Sequence, residues 1–179
     1  MLTFLVGGAR SGKSMLGQRL ASASVGPGSV VTAVVTAEAF FDGQVDEEMT
    51  ARITRHQADR PAGWITVEAT HQLALSLEPL NGVILIDCLS LWVSNRMLAD
   101  VTDNEIEAEA RQAASWASQR VDRVVAVSNE VGSGIVPDNA LARRYRDVLG
   151  RVNATWAEAA EAAYLVVAGR LLRLERADW

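Results

Sequence analysis

One cysteine, Cys88, and one lysine, Lys13, are all that a chain of 179 residues contains of either type. A lone cysteine excludes an intrachain disulfide, and without a second one nearby it argues against a structural zinc site. Both absences fit a reducing cytoplasm. No apolar run approaches the roughly 18 residues of a membrane span. The run Leu2 to Val6 is too short for the apolar part of an export signal and passes straight into glycines, so no targeting segment is expected. Excess positive charge is missing too. The net charge is −5 and the arginines are scattered, which argues against extended nucleic-acid binding and for a small ligand. With no repeat, no low-complexity tract and 49% hydrophobic residues, the chain can bury a core as a single domain over residues 1–179.

What is present alternates. Short β-rich apolar runs are followed by helical patterns, the signature of an α/β fold with a mainly parallel sheet. Strands are expected at Thr3–Val6, Val30–Val35, Trp64–Val67, Val83–Ile86, Val124–Val127 and Tyr164–Val167. Helices are expected at Lys13–Ala23, Asp46–Asp59, Leu89–Leu98, Asn104–Arg120 and Asn139–Ala162, the last after Pro137 with Asp138 as its N-cap. Gly26–Ser29, Phe41–Gln44, Pro79–Gly82 and Gly132–Pro137 read as loops, each too short to link domains.

Between the first strand and the first helix lies Gly7-Gly8-Ala9-Arg10-Ser11-Gly12-Lys13-Ser14, which fits G-x-x-x-x-G-K-[ST]. Glycines let the backbone curl so that successive N–H groups point at phosphate oxygens, and the helix that follows adds the partial positive charge of its N-terminus. Lys13 would reach the β and γ phosphates and the Ser14 hydroxyl would ligate Mg²⁺. Apart from the histidines, every other basic side chain is arginine. The wide guanidinium cannot replace a compact ammonium in such a loop. The expected fold is therefore α/β and P-loop NTPase-like, a mainly parallel sheet flanked by helices, with a nucleoside triphosphate as ligand.

Val83-Ile84-Leu85-Ile86-Asp87 is an apolar strand ending in a carboxylate, which in phosphate-loop proteins holds the metal through water beside the first strand. Drawn as a helix, Asp46 to Arg60 puts Met49 and Ile53 on an apolar face and Glu48, Arg52 and His56 on a polar one. The charges of Arg52, Arg55 and Arg60 would favour a neutral imidazole and attract phosphate oxygens, so His56 can act as a nucleophile toward phosphorus. Spacing alone, however, favours an ordinary exposed histidine on a charged helix. His71 reads as a surface residue at a helix start, and Trp92, Trp116 and Trp156 as core or subunit contacts. Asn129 to Gly134 follows a strand, where α/β sheets bind ligands, and fits a plain strand-to-helix connection equally well.

GGARSGKS at 7–14, ARITRHQADRPAGW at 51–64, Thr66-x-Glu68, SNEVGSGIVPDNALARRYRDVLGRVN at 128–153 and LVVAG at 165–169 extend along the whole chain. In these segments it resembles the bifunctional adenosylcobinamide kinase/adenosylcobinamide-phosphate guanylyltransferase family of cobalamin biosynthesis. The resemblance implies two reactions: phosphorylation of the adenosylcobinamide side-chain hydroxyl, then transfer of GMP from GTP onto that phosphate with release of pyrophosphate. In that family a histidine carries the guanylyl group, and Arg52-Ile53-x-x-His56 maps this role onto His56. A lysine nucleophile would need a second lysine, and none exists.

By the same similarity, nucleotide contacts fall to Gly7, Gly8, Ala9, Arg10, Ser11, Gly12, Lys13 and Ser14, to Thr36, Ala37 and Glu38, to Gln57, Ala58, Asp59 and Arg60, and to Glu68 and Asp87. GTP, ATP and Mg²⁺ are the implied cofactors, a corrinoid the implied substrate and a homotrimer the implied assembly. Two positions depart from the pattern. Arg55 stands where a member of the family carries a second histidine, which leaves one candidate nucleophile; Asp87 stands for that member's Glu, which keeps the charge with a shorter reach. Two other functions fit the same loop. A small-molecule kinase without nucleotidyl transfer would move the γ phosphate and never form a nucleotide adduct. A GTP-controlled switch would need N-K-x-D for guanine, and no lysine is left to build it.

Overall fold

The computed structural model describes residues 1–26, 28–41 and 44–177. The loops expected at Gly26–Ser29 and Phe41–Gln44 include residues 27, 42 and 43, which lie outside the described ones. The strands are β1 (Leu2–Gly7), β2 (Val31–Val35), β3 (Phe40–Phe41), β4 (Gln44–Val45), β5 (Ile65–Glu68), β6 (Val83–Asp87), β7 (Val124–Asn129), β8 (Ala162–Val167) and β9 (Arg170–Leu174). Between them run the helices α1 (Lys13–Ala23), α2 (Glu47–Ala58), α3 (Leu73–Leu77), α4 (Leu89–Leu98), α5 (Asp103–Ser118) and α6 (Ala140–Ala159). β3 and β4 pair only with each other, antiparallel; the rest form one sheet in the order β5-β2-β6-β7-β1-β8-β9. Every pair in that sheet is parallel except β8 with β9.

Side chains alternate across a strand, so a strand covered on both faces is apolar at every step. β1 follows this with one exception: Leu2, Phe4 and Val6 join the core on one face and Leu5 joins the core on the other, while Thr3 is buried with its hydroxyl accepting from Arg123 at 3.0 Å. β6 divides in the same way, Ile84 and Ile86 against Val83 and Leu85. The larger core is closed by α3, α4, α5 and α6, which bury Leu73, Leu77, Trp92, Ile106, Val148 and Trp156. In α5, Ile106, Ala110, Ala113, Ala114 and Ala117 recur at helical spacing and lie buried, the small side chains letting the helix pack close. The smaller core lies under α1.

Helix ends follow side-chain caps. Asp46 accepts the Met49 N–H at the start of α2, and a reciprocal Thr102–Glu105 capping box opens α5. The α6 cap is Asn139, whose Oδ1 accepts the Ala142 N–H at 3.1 Å, and not Asp138 as expected. α6 also stops at Ala159, three residues early, because Ala162 already pairs with Thr3 in the sheet. β9 was not expected. Its residues are exposed on both faces, and RLLRL carries no apolar alternation to betray it.

β6 does not lie beside β1; β7 runs between them. Asp87 still meets the phosphate loop because α1 lies low across β6 and β7. At Gly17 an added Cβ would sit 3.0 Å from Leu85 Cδ1 and 3.1 Å from Val127 Cγ2, so a glycine there permits the close approach. The register brings Val35, Glu68, Asp87, Gly7 and Asn129 to the same end of the sheet. Ligands of parallel sheets bind at that end.

Candidate active site

The loop from Gly7 to Ser14 leaves the end of β1 and enters α1. Gly12 has φ +96° and caps the helix, a conformation that favours glycine. Gly7 is required for another reason: an added Cβ would run into the Val166 carbonyl of β8. Neighbouring backbone fastens the loop, since the Glu130 N–H donates to Gly7 O at 3.0 Å and the Gly169 N–H donates to Ser11 O at 2.8 Å. Lys13 is buried, and its Nζ donates to Gly8 O at 2.9 Å. Burial holds the ammonium below its ordinary pKa; the Arg52 charge acts in the same direction and Asp87 opposes it.

Beside the loop opens a cleft of about 330 Å³ lined by Lys13, Ser14, Ala37, Glu38, His56, Gln57, Arg60, Glu68 and Asp87. Nine of the residues expected at the site are thus brought together. Asp87 is the hinge of the arrangement. Its Oδ1 accepts from Ser14 Oγ at 3.2 Å, and its Oδ2 lies 3.7 Å from His56 Nδ1. Arg60 donates to Thr66 Oγ1 at 2.9 Å; burial lowers its pKa and Asp87 counters that.

Gly7, Gly8, Ala9, Arg10, Ser11 and Gly12 form the loop beside the cleft without lining it, and three more expected residues lie elsewhere. Thr36 is fully buried, and its hydroxyl is spent on the Cys88 backbone, donating to the carbonyl at 2.6 Å and accepting the N–H at 3.1 Å. It shapes the floor of the site without reaching into the cleft. Ala58 and Asp59 are exposed at the end of α2, where Asp59 forms the C-cap, and do not line the cleft.

The cleft also contains residues that the family resemblance does not assign to nucleotide binding. Met49, Arg52 and Ile53 line it together with His56. Spacing had divided these four between an apolar and a polar face, but at i, i+3, i+4 and i+7 they share one side of the helix. No residue of α2 is buried, so its apolar side chains face the cleft and not a core. Asn129 lines the opposite wall, its Nδ2 donating to Ser90 Oγ at 3.0 Å. Ser90 in turn lies 2.9 Å from Cys88 Sγ, and its carbonyl accepts from Tyr145 OH at 3.1 Å. Burial pushes the Cys88 thiol up and the Tyr145 hydroxyl up to about 12. Beyond Asn129, Glu130 folds back onto the Gly132 and Ser133 N–H groups. Trp92 and Trp156 are core, and His71 is a rim residue 3.3 Å from Glu38.

The donor set suits a hard divalent cation. Ser14 Oγ and Asp87 Oδ1 are adjacent oxygens, and the described residues contain no group of three or more His, Cys, Asp or Glu that could cage an ion alone. Two protein oxygens completed by phosphate and water are what Mg²⁺ takes.

A family model described as cobinamide kinase / cobinamide phosphate guanyltransferase matches residues 3–174. The chain belongs to this family. It is 38% identical over 172 residues to the bifunctional adenosylcobalamin biosynthesis protein CobP of Pseudomonas aeruginosa, covering 94% of each chain. To the bifunctional adenosylcobalamin biosynthesis protein CobU of Salmonella typhimurium it is 38% identical over 185 residues, 94% of this chain and 97% of that one. The CobU protein of Escherichia coli is 37% identical with the same coverage. Among solved structures, the flagellar accessory protein FlaH of Methanocaldococcus jannaschii aligns with 95% of this chain and 74% of its own at 16% identity and a TM-score of 0.46. Family membership makes this protein a transferase with kinase and guanylyltransferase activities in cobalamin biosynthesis. No helix among the described residues is long and apolar enough to cross a membrane.

Proposed function

We propose that residues 1–179 act as one nucleotide-binding transferase domain that phosphorylates adenosylcobinamide and then transfers GMP from GTP onto that phosphate through a guanylyl group carried on His56. The observation that carries this assignment is the Asp87 carboxylate, which lies 3.2 Å from Ser14 of the phosphate loop and 3.7 Å from the His56 ring. Nucleophile and triphosphate cradle thereby share one cleft. The loop N–H groups and Lys13 hold the β and γ phosphates. A neutral His56 nitrogen attacks the α phosphorus; an N–P bond forms, the bridging P–O bond breaks and pyrophosphate leaves with the electron pair. The corrinoid phosphate then attacks the same phosphorus, and the imidazole leaves as the neutral ring. Two steps let one site exchange pyrophosphate for the acceptor. Ser14 and Asp87 would hold Mg²⁺, which when bound neutralises phosphate oxygens. ATP or GTP serves the kinase step.

Incubation with GTP labelled at the α phosphate is expected to leave label on the denatured protein, acid-labile and base-stable as a phosphoramidate is. His56→Ala removes that label. Label surviving the substitution would reject His56 as carrier, and a wild-type protein without label would leave only the kinase. The site works in a cytoplasmic homotrimer, and sedimentation measures the trimer.

A further inference from the structure

Three cations line the cleft, and two of them already have partners. Lys13 donates to Gly8 O at 2.9 Å and Arg60 to Thr66 Oγ1 at 2.9 Å. Arg52 makes no hydrogen bond or ion pair among the described residues, although Glu38, Glu68 and Asp87 line the same space. Arg52 is exposed, and the planar fork of a guanidinium fits phosphate oxygens as well as carboxylates. Arg52 stands four residues before His56 on the side of α2 that faces the cleft, so the two side chains are neighbours one turn apart. It lies near enough to the phosphate loop for its charge to bear on Lys13.

We propose that Arg52 is a catalytic residue for guanylyl transfer, its guanidinium binding the non-bridging oxygens of the α phosphoryl group as that group passes onto His56 and off again. The proposal rests on His56 as the carrier. In the first step the ring nitrogen bonds to the α phosphorus while the bridging P–O bond breaks, and the released electron pair departs on pyrophosphate held by the loop. The oxygens that stay on the α phosphorus travel toward α2, away from Lys13. In the second step pyrophosphate has gone, an oxygen of the acceptor phosphate bonds to phosphorus and the N–P bond returns its pair to the ring. The same non-bridging oxygens carry charge through both steps. A cation on the nucleophile's own helix is the one that stays with them.

Removing one charge-stabilising donor from a transition state costs about 10²–10³ in rate. Rapid-quench labelling from α-labelled GTP at saturation, beside equilibrium GTP binding, tests the role. Arg52→Gln, which keeps helix propensity and leaves the core untouched, is expected to slow adduct formation about 10²-fold or more while GTP affinity weakens by less than about tenfold. Arg52→Lys restores only part of the rate, because a point charge lacks the fork. A labelling rate within threefold of wild type, or a loss matched by weaker GTP binding, overturns the proposal. If wild type labels and His56→Ala does not, such a result sinks Arg52 alone; if wild type takes no label, both assignments fall.

Discussion

The phosphate loop is held by backbone on both sides, from Glu130 and from Gly169, whereas α2, which carries His56 and Arg52 across the cleft from it, buries no residue at all. One wall is part of the core. The other is attached by its ends and its caps. Residues on the first wall should therefore serve stability and chemistry together, and residues on the second chemistry alone.

The sharpest way to break this comparison is Lys13→Ala. Both activities should fall by at least about 100-fold in kinase and adduct assays, since one loop holds the triphosphate for both. Guanylyl transfer retained by that variant would require a second nucleotide site.

Next in size come paired truncations followed by chemical denaturation. Leu85→Ala, in the core under α1, is expected to cost about 2–5 kcal/mol, and Met49→Ala, on the cleft side of α2, less than about 0.5 kcal/mol. Equal costs would mean that α2 is as firmly packed as the sheet.

A finer cut lies within the loop itself. Gly7→Ala should destabilise the fold by about 1–3 kcal/mol and weaken nucleotide binding, because its Cβ meets the Val166 carbonyl. Gly8→Ala, with nothing within 4 Å of its Cβ, should leave stability within about 0.5 kcal/mol.

The narrowest effect is one of pH, confined to a strongly alkaline window and again on the packed side. The Tyr145 hydroxyl, raised by burial from 10.0 to about 12, stays neutral in the fold after it would ionise in the unfolded chain. Its contribution is complete below pH 10.0 and is lost as pH rises through about 12. Tyr145→Phe should flatten stability over that window, as measured by urea unfolding at stepped pH; an unaltered slope would deny the burial.

What was legible in the sequence follows the same division. The phosphate loop is a local pattern of glycines and one lysine, and the buried strands are short runs in which apolar residues dominate, so both can be read residue by residue. β7 between β1 and β6 could not be read, because strand order is set by packing far along the chain. For α2 the spacing showed an amphipathic helix but could not say whether its apolar side meets protein or a cleft. Met49 and Ile53 meet the cleft. The spacing puts Arg52 on one polar face with His56; only the fold shows that this face meets the cleft. At Thr36 the sequence does not show that the hydroxyl serves the Cys88 backbone, because a buried hydroxyl serving backbone looks like one serving a ligand.

The hydrogen bond from Gly169 to Ser11 has a consequence for how the protein is born. A ribosome releases residues 7–14 long before it has made β8, yet β1 pairs with both β7 and β8, and the tie on Ser11 comes from the turn into β9. The nascent chain thus holds a nucleotide motif that lacks its final brace until β8 and the turn after it have emerged. Synthesis interrupted before that turn yields a product with the whole glycine-lysine signature and no properly set cradle, one that titrates poorly with nucleotide however intact the motif.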